Sequence, residues 1–278
     1  MRRSTPRAGH RGGRVDAMQP PEIDETFKDG GRALWESHAD WWQTHFTDGA
    51  DPEYEEQILP TIVRLLRPHR SVLEIGTGDG QVLRAIGAHD GGTHGEGSIY
   101  VGIDPAQAQI RTAAARAPEY LFARGEALAL PYRDASFDAV VACLVFEHIL
   151  EVDAALEEVA RVLVPGGQFL FLLNHPLLQT PGSGWIDDQI LDEQYWRIGE
   201  YLKEDVAFEE VEKDVFIPFV HRPLSRYLNT AIAKGLHLDT MEEPSPPAGF
   251  LAQAWEYQRA AAIPRLLVLG FTKATEHS

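Results

Sequence analysis

Short apolar runs alternate with segments of helical period along most of the chain. Ser71–Ile75 reads as a short buried strand, and the following QVLRAIGA puts Val82, Leu83 and Ile86 on one helix face. SIYVGID (98–104) predicts a second strand, residues 106–116 an Ala-rich helix, and EYLFA (119–123) a third strand. AVVACLV (139–145) is an uninterrupted apolar run, the pattern of a central strand buried on both faces. Asp153 is the expected N-cap of a helix with Leu156, Val159, Ala160 and Leu163 on one stripe. Pro165-Gly166-Gly167 is expected to end that helix, and QFLFLL (168–173) is the fifth strand. Leu224–Lys234 predicts another helix, and LHLDTM (236–241) and RLLVLGF (265–271) two closing strands. Strands and helices in this alternation predict an α/β fold, a doubly wound and mostly parallel sheet with helices on both faces.

The remaining segments divide the chain into expected units. Residues 1–17 read as a disordered basic extension, residues 18–66 as a helical cap, and residues 67–278 as the main domain. Trp35, Trp41 and Trp42 crowd into LWESHADWW within the cap, where they pack a core or roof a pocket. HDGGTHGEGS (89–98) reads as a flexible connection. Residues from about 176 to 222 are irregular and rich in aromatics and acids, as an insertion over a pocket would be. Trp185, Tyr195, Trp196 and Tyr201 predict a helical, aromatic lid there that selects the substrate.

Charge narrows the partners. The chain carries 25 Lys and Arg against 42 Asp and Glu, a net charge of −17. Arg2, Arg3, Arg7, Arg11 and Arg14 against Asp16 make the first 17 residues +4, which leaves −21 on the rest. So acidic a body repels phosphate backbones and anionic lipid surfaces, so nucleic acid and membrane are not expected partners. The Arg2-Arg3 pair has no apolar stretch behind it, which argues against a targeting signal. No apolar run reaches about 18 residues, the minimum for a membrane-crossing helix. Cys143 is the single cysteine, which fits a cytoplasmic setting. No HxH or HExxH spacing is present, and no metal site is expected.

Glu74-Ile75-Gly76-Thr77-Gly78-Asp79-Gly80 closes the first strand. Alternate glycines permit a sharp turn and a close approach to a ligand, and the next helix offers free N–H groups. Asp104 ends the second strand, where an acid can accept from both hydroxyls of a ribose. Two cofactor classes carry such a ribose, NAD and S-adenosylmethionine. Dinucleotide binding wants GxGxxG, and Gln81 stands where its third glycine belongs. Glu74, two residues before the first glycine, suits a ligand with a positive amino group better than a pyrophosphate.

VLEIGTGDG, followed by GID, GEALALPYRDASFDAVVA and RVLVPGG, resembles the class I S-adenosylmethionine-dependent methyltransferases, in particular the small-molecule group. The resemblance covers roughly residues 70–175, with a looser echo in the last two strands. It implies a Rossmann-like methyltransferase fold, a seven-stranded sheet whose last strand is antiparallel. Carried over by position, it places Gly76, Thr77, Gly78 and Gly80 in the cofactor loop with Glu74 nearby. Asp104 would hold the ribose, Pro105 would sit by the adenine, and Gln107–Ile110 would line its edge. Glu126 and Ala127 stand where the family often has Asp-Ala at the adenine amino group, and Cys143 and Leu144 would face the methionine part.

The implied activity is methyl transfer to an O, N or C atom of a small molecule, with S-adenosylhomocysteine as product. Such a displacement needs alignment, and needs a base only where the nucleophile must lose a proton. His148 follows the fourth strand, His175 the fifth, and His221 precedes a helix; these three are the candidate bases. Two other readings stay open on sequence, a non-catalytic S-adenosylmethionine-binding protein of the same fold and an NAD-dependent oxidoreductase.

Overall fold

The computed structural model describes residues 22–27, 29, 31–66, 69–89, 98–254 and 259–275. The basic extension of residues 1–17 and positions 90–97 of the expected connection lie outside these residues. The cap is helical. It comprises α1 (Ile23–Phe27), α2 (Arg32–Phe46) and a π-turn at Tyr54–Ile58 that runs into α3 (Leu59–Leu65).

The main sheet then forms as β1 (Ser71–Ile75), α4 (Gln81–His89), β2 (Ile99–Asp104), α5 (Gln107–Arg116), β3 (Leu121–Arg124), β4 (Phe137–Cys143), α6 (Val152–Val162) and β5 (Leu163–Asn174). Val140, Val141 and Ala142 of β4 are wholly buried, as the unbroken apolar run demands of a strand covered on both faces. Asp153 falls inside the first turn of α6 rather than at its cap, and its carboxylate is ion-paired with Arg226 at 2.6 Å. Pro165-Gly166-Gly167 lies within β5, because α6 passes directly into strand at Leu163.

The insertion differs from expectation. It holds two β-hairpins, β6 (Gly184–Asp188) with β7 (Glu193–Arg197) and β8 (Asp205–Glu212) with β9 (Val215–His221), and no helix. Its aromatic and β-branched residues pair across strands, and Trp185 meets Trp196 edge to face at 5.6 Å between ring centres. The chain closes with α7 (Leu224–Ala233), β10 (Leu236–Glu242), α8 (Ala248–Gln253) and β11 (Leu266–Lys273).

The seven-stranded sheet has the order β10-β11-β5-β4-β1-β2-β3. β11 is antiparallel to both its neighbours, and the pairs joining β3, β2, β1, β4 and β5 are all parallel. This is the Rossmann-like methyltransferase fold. From β1 the chain winds outward first to β2 and β3 and then back to β4 and β5. The strand order therefore reverses between β1 and β4, and a crevice opens at their carboxyl ends, where such sheets bind ligands.

Candidate active site

One cavity fills that crevice. Its floor is the loop after β1 and the ends of β2 and β4, and its roof is α1, α2 and the π-turn, which contribute Phe27, Trp35, Trp42 and Tyr54. Of the residues predicted to hold a cofactor, Glu74, Gly76, Thr77, Gly78, Asp104, Pro105, Glu126, Ala127, Cys143 and Leu144 all line it. Gly80 does not. A Cβ there would lie 3.0 Å from the Phe122 ring at a φ of +81°, so this glycine serves the packing of the turn against β3. Gly76 is demanded twice, by its φ of +68° and by Val145, whose Cγ2 would clash with a Cβ there. Its missing side chain lets the β4 loop close against the β1 loop.

Glu74 is buried at the end of β1, and the Thr77 hydroxyl donates to its Oε2 at 2.6 Å. Burial pushes its pKa up to about 8. Such a carboxylate is poised for a cation, since a positive group beside it restores the charged form. Asp104 ends β2, takes the N–H of Gly78 on Oδ2 at 3.0 Å and that of Ala106 on Oδ1 at 2.8 Å, and is raised to about 6 by burial. Each oxygen keeps a second lone pair for a ligand hydroxyl. Asp79 also lines the cavity, but Arg84 at 3.2 Å and Arg116 hold its carboxylate.

The roof is pinned at two points. Arg32 at the start of α2 is ion-paired with Glu126. One turn on, the Glu36 carboxylate accepts from the N–H groups of Gln107 and Ala108, capping α5 just beyond Pro105. Of the expected edge residues Gln107–Ile110, Gln109 reaches the cavity.

The three histidines separate. His148 lines the cavity, its ring 4.9 Å from Trp35 and 4.7 Å from Phe219 between centres. Its Nδ1 lies 2.7 Å from the Pro218 carbonyl oxygen, which only accepts, so Nδ1 carries the hydrogen and Nε2 the lone pair. Burial lowers its pKa to about 4, so the ring is neutral at pH 7. His175 lies away from the cavity, with Nε2 at 2.7 Å from Glu243 Oε1 and Nδ1 accepting from the Leu177 N–H. His221 gives its Nε2 hydrogen to the Tyr201 carbonyl at 2.8 Å and is likewise outside.

Among the described residues the aromatic insertion does not wall this cavity. Trp185 and Trp196 border a separate one with Phe250 and Arg265, and the Tyr201 hydroxyl accepts from the Leu224 N–H. The insertion meets the site from behind instead, through Pro218 and Phe219 of β9 against His148. Tyr54, Leu150 and Glu151 were not singled out from the sequence and also line the cavity. Tyr54 reads there as one more apolar position of a helix, and nothing local marks it.

A cofactor with a cationic amino group and a free ribose fits this donor set. A carboxylate raised by burial stands at one strand end, and an acid with spare acceptor capacity stands at the next. Gln81 begins α4 and lines the cavity where a dinucleotide fold would need glycine.

Comparison with known proteins agrees. Residues 73–171 match the methyltransferase domain family. A demethylmenaquinone methyltransferase of Thermus thermophilus is 32% identical over 128 residues, 45% of this chain and 55% of that protein. One from Deinococcus radiodurans is 37% identical over 117 residues, 41% of this chain and 46% of its own. The chain thus spans about half the length of these curated relatives. The crystal structure of an S-adenosylmethionine dependent methyltransferase from Mesorhizobium loti superposes with a TM-score of 0.64 at 23% identity, over 77% of this chain and 96% of that one. No helix among the described residues is long and apolar enough to cross a membrane.

Proposed function

We propose that this chain, whose core is a class I S-adenosylmethionine methyltransferase domain, moves the cofactor's methyl group to an oxygen, nitrogen or carbon atom of a small molecule by in-line displacement. The observation that carries this reading is the meeting of Glu74, Asp104 and His148 around one cavity at the strand-order reversal. The net charge of −17 disfavours nucleic acid and anionic lipid surfaces as partners.

S-adenosylmethionine supplies, when bound, a methyl group made electrophilic by its sulfonium. Glu74 binds the amino group of the methionine part, and Gly76, Thr77 and Gly78 lie along the methionine and ribose. Asp104 accepts from the ribose hydroxyls on the lone pairs its two backbone contacts leave free. Pro105, Glu126 and Ala127 bracket the adenine, while Cys143 and Leu144 border the methionine end. Trp35, Trp42 and Tyr54 exclude water from the reacting atoms.

His148 Nε2 accepts a hydrogen bond from an O–H or N–H acceptor and so aims the nucleophile's remaining lone pair at the methyl. With a conjugate acid held to about 4, the ring takes the proton late. Nε2 would take the nucleophile's proton once the methyl's bond has passed from sulfur to the nucleophile, with the neutral thioether as leaving group, because that transfer makes the proton strongly acidic. Demethylmenaquinone methyltransferases among the relatives make a quinol-type ring the first acceptor class to screen.

Calorimetric titration with S-adenosylmethionine, S-adenosylhomocysteine and NAD in parallel tests the cofactor. Micromolar binding of the two sulfur ligands and silence from NAD is the expected result. NAD binding alone would overturn the proposal. Binding of the sulfur ligands with no methyl transfer to any quinol, phenol or amine in a tritiated-methyl screen would favour the non-catalytic reading.

A further inference from the structure

We propose that Arg222 is a positioning residue: it fixes the turn that presents His148, and through it the insertion between β5 and α7 sets the geometry of the acceptor side of the site. The inference rests on the proposed function for the role of His148, and on the hydrogen-bond pattern alone for the clamp itself.

The turn after β4 is a single 3-10 turn, Phe146–His148, followed by Ile149 and Leu150. A one-turn helix leaves its carbonyls without successors to satisfy them. Arg222 supplies donors to the carbonyls that follow the turn. Its Nη2 donates to those of Ile149 at 2.8 Å and Leu150 at 2.7 Å, and its Nη1 adds a longer contact, 3.4 Å, to the Phe146 carbonyl, which already accepts from the Ile149 N–H. His148, Ile149 and Leu150 all line the cavity, so one guanidinium sets the backbone on both sides of the histidine.

The clamp is costly to build, which argues that it does more than fill space. Arg222 is 2% exposed, and burying a guanidinium is unfavourable unless partners compensate it. Its nearest carboxylate oxygen, Oε2 of Glu204, is 3.7 Å from Nε, on a side chain 49% exposed. The carbonyls of the turn take the hydrogen bonds of its two Nη groups, and Nε is left without a hydrogen-bond partner. The buried Glu147 attracts the guanidinium electrostatically, and the ring of Tyr227, 5.8 Å away, adds a weaker contact. A planar fork reaches these carbonyls together, whereas an ammonium at the same place would hold one at a time.

Both fasteners come from one short stretch. The Pro218 carbonyl fixes which nitrogen of His148 is basic, and four residues later Arg222 fixes the backbone that carries the ring. In the sequence His221-Arg222-Pro223, the arginine rather than the histidine works on the site.

Imidazole nitrogen NMR and steady-state kinetics on Arg222→Lys and Arg222→Gln test this. In the wild type the His148 signal, assigned by its loss in His148→Gln, should report one tautomer with hydrogen on Nδ1. In Arg222→Lys it should shift toward a mixture of tautomers. Where an acceptor is in hand, kcat should fall roughly 10- to 100-fold, the range a small misplacement of reacting groups costs, with the KM for S-adenosylmethionine nearly unchanged. A purely structural arginine would lower the melting temperature and leave both the tautomer and the kcat of the folded protein as they were, which would overturn the inference. The NMR arm needs no turnover, so failure of the clamp and failure of the proposed activity read out separately. Hydrogen exchange gives a second readout without turnover. The His148 and Ile149 amides, which donate to Val145 and Phe146 within the turn, should exchange faster in Arg222→Lys than in the wild type, and equal rates would sink the clamp.

Discussion

Arg32, the first residue of α2, is ion-paired with Glu126, 94 positions further along the chain at the turn beyond β3. Glu126 is the acid expected to accept from an adenine amino group, and α2 also carries Trp35 and Trp42 into the cavity. The pair therefore ties the roof to the acid proposed to meet the adenine. Both side chains are partly exposed, so the pair contributes only about 0–1 kcal/mol. Removing the guanidinium frees the carboxylate for the ligand. We expect Arg32→Ala to tighten S-adenosylhomocysteine binding by up to about fivefold and Glu126→Ala to weaken it, by calorimetry. Weaker binding in Arg32→Ala would mean that the guanidinium itself touches the nucleotide.

Asp104 holds the N–H groups of Gly78 and Ala106 as well as its expected ribose, so its two truncations separate. Asp104→Asn keeps one acceptor oxygen and should weaken cofactor binding by about 1–3 kcal/mol, the cost of a charge-assisted hydrogen bond. Asp104→Ala leaves two loop N–H groups without that partner and should also lower the melting temperature. Equal affinity in wild type and Asp104→Asn would place the ribose elsewhere.

Much of this arrangement was legible in the sequence because strands and glycine turns are local. The run from Ala139 to Leu144 reads as a central strand in any window, and Gly76, Glu74 and Asp104 follow from where two strands end. The insertion reads as helical from sequence because its alternation is broken into strands of five to eight residues separated by acidic turns. Which histidine faces the cavity is a tertiary fact. His148, His175 and His221 all stand beside strand ends, and only the packing of β9 behind β4 distinguishes them. Arg222 and Tyr54 were invisible for the same reason, since their partners are distant in sequence.

Glu74 gives the ligand-free protein an unusual dependence on pH. Its folded pKa of about 8 lies far above the ordinary glutamate value of 4.5, so between those limits the folded chain binds more protons than the unfolded one. Stability must then fall as pH rises through that interval. Glu147, raised to about 7 by burial, acts in the same direction, whereas His148, lowered to about 4, opposes it only up to pH 6.5. We therefore expect the melting temperature of the ligand-free protein to decline from pH 6.5 to 8, with a slope of at most about 1.4 kcal/mol per pH unit for each proton lost. Glu74→Gln should flatten the decline. So should saturating S-adenosylhomocysteine, whose amino group favours the ionised carboxylate. A profile that rises over this window would mean Glu74 is ionised in the free protein.

The last expectation concerns the charge of the acceptor. Among the described residues that line the cavity there is no lysine or arginine. Its ionisable side chains are carboxylates, Tyr54, Cys143 and a neutral His148, and of the carboxylates Asp79 and Glu126 are offset by arginines from outside. Apart from the cofactor's own sulfonium, an anionic acceptor would be desolvated there without a counter-charge from the lining residues, next to acids it repels. A neutral phenol should therefore be methylated at least about 10-fold more efficiently, in kcat/KM, than the same ring bearing a carboxylate, a gap of ~1.4 kcal/mol. Added salt should not close that gap, because charges inside the cavity are poorly screened. Competition between the two acceptors at low and high ionic strength measures this directly. Equal rates would mean that a cation reaches the acceptor from a part of the chain that does not line the cavity.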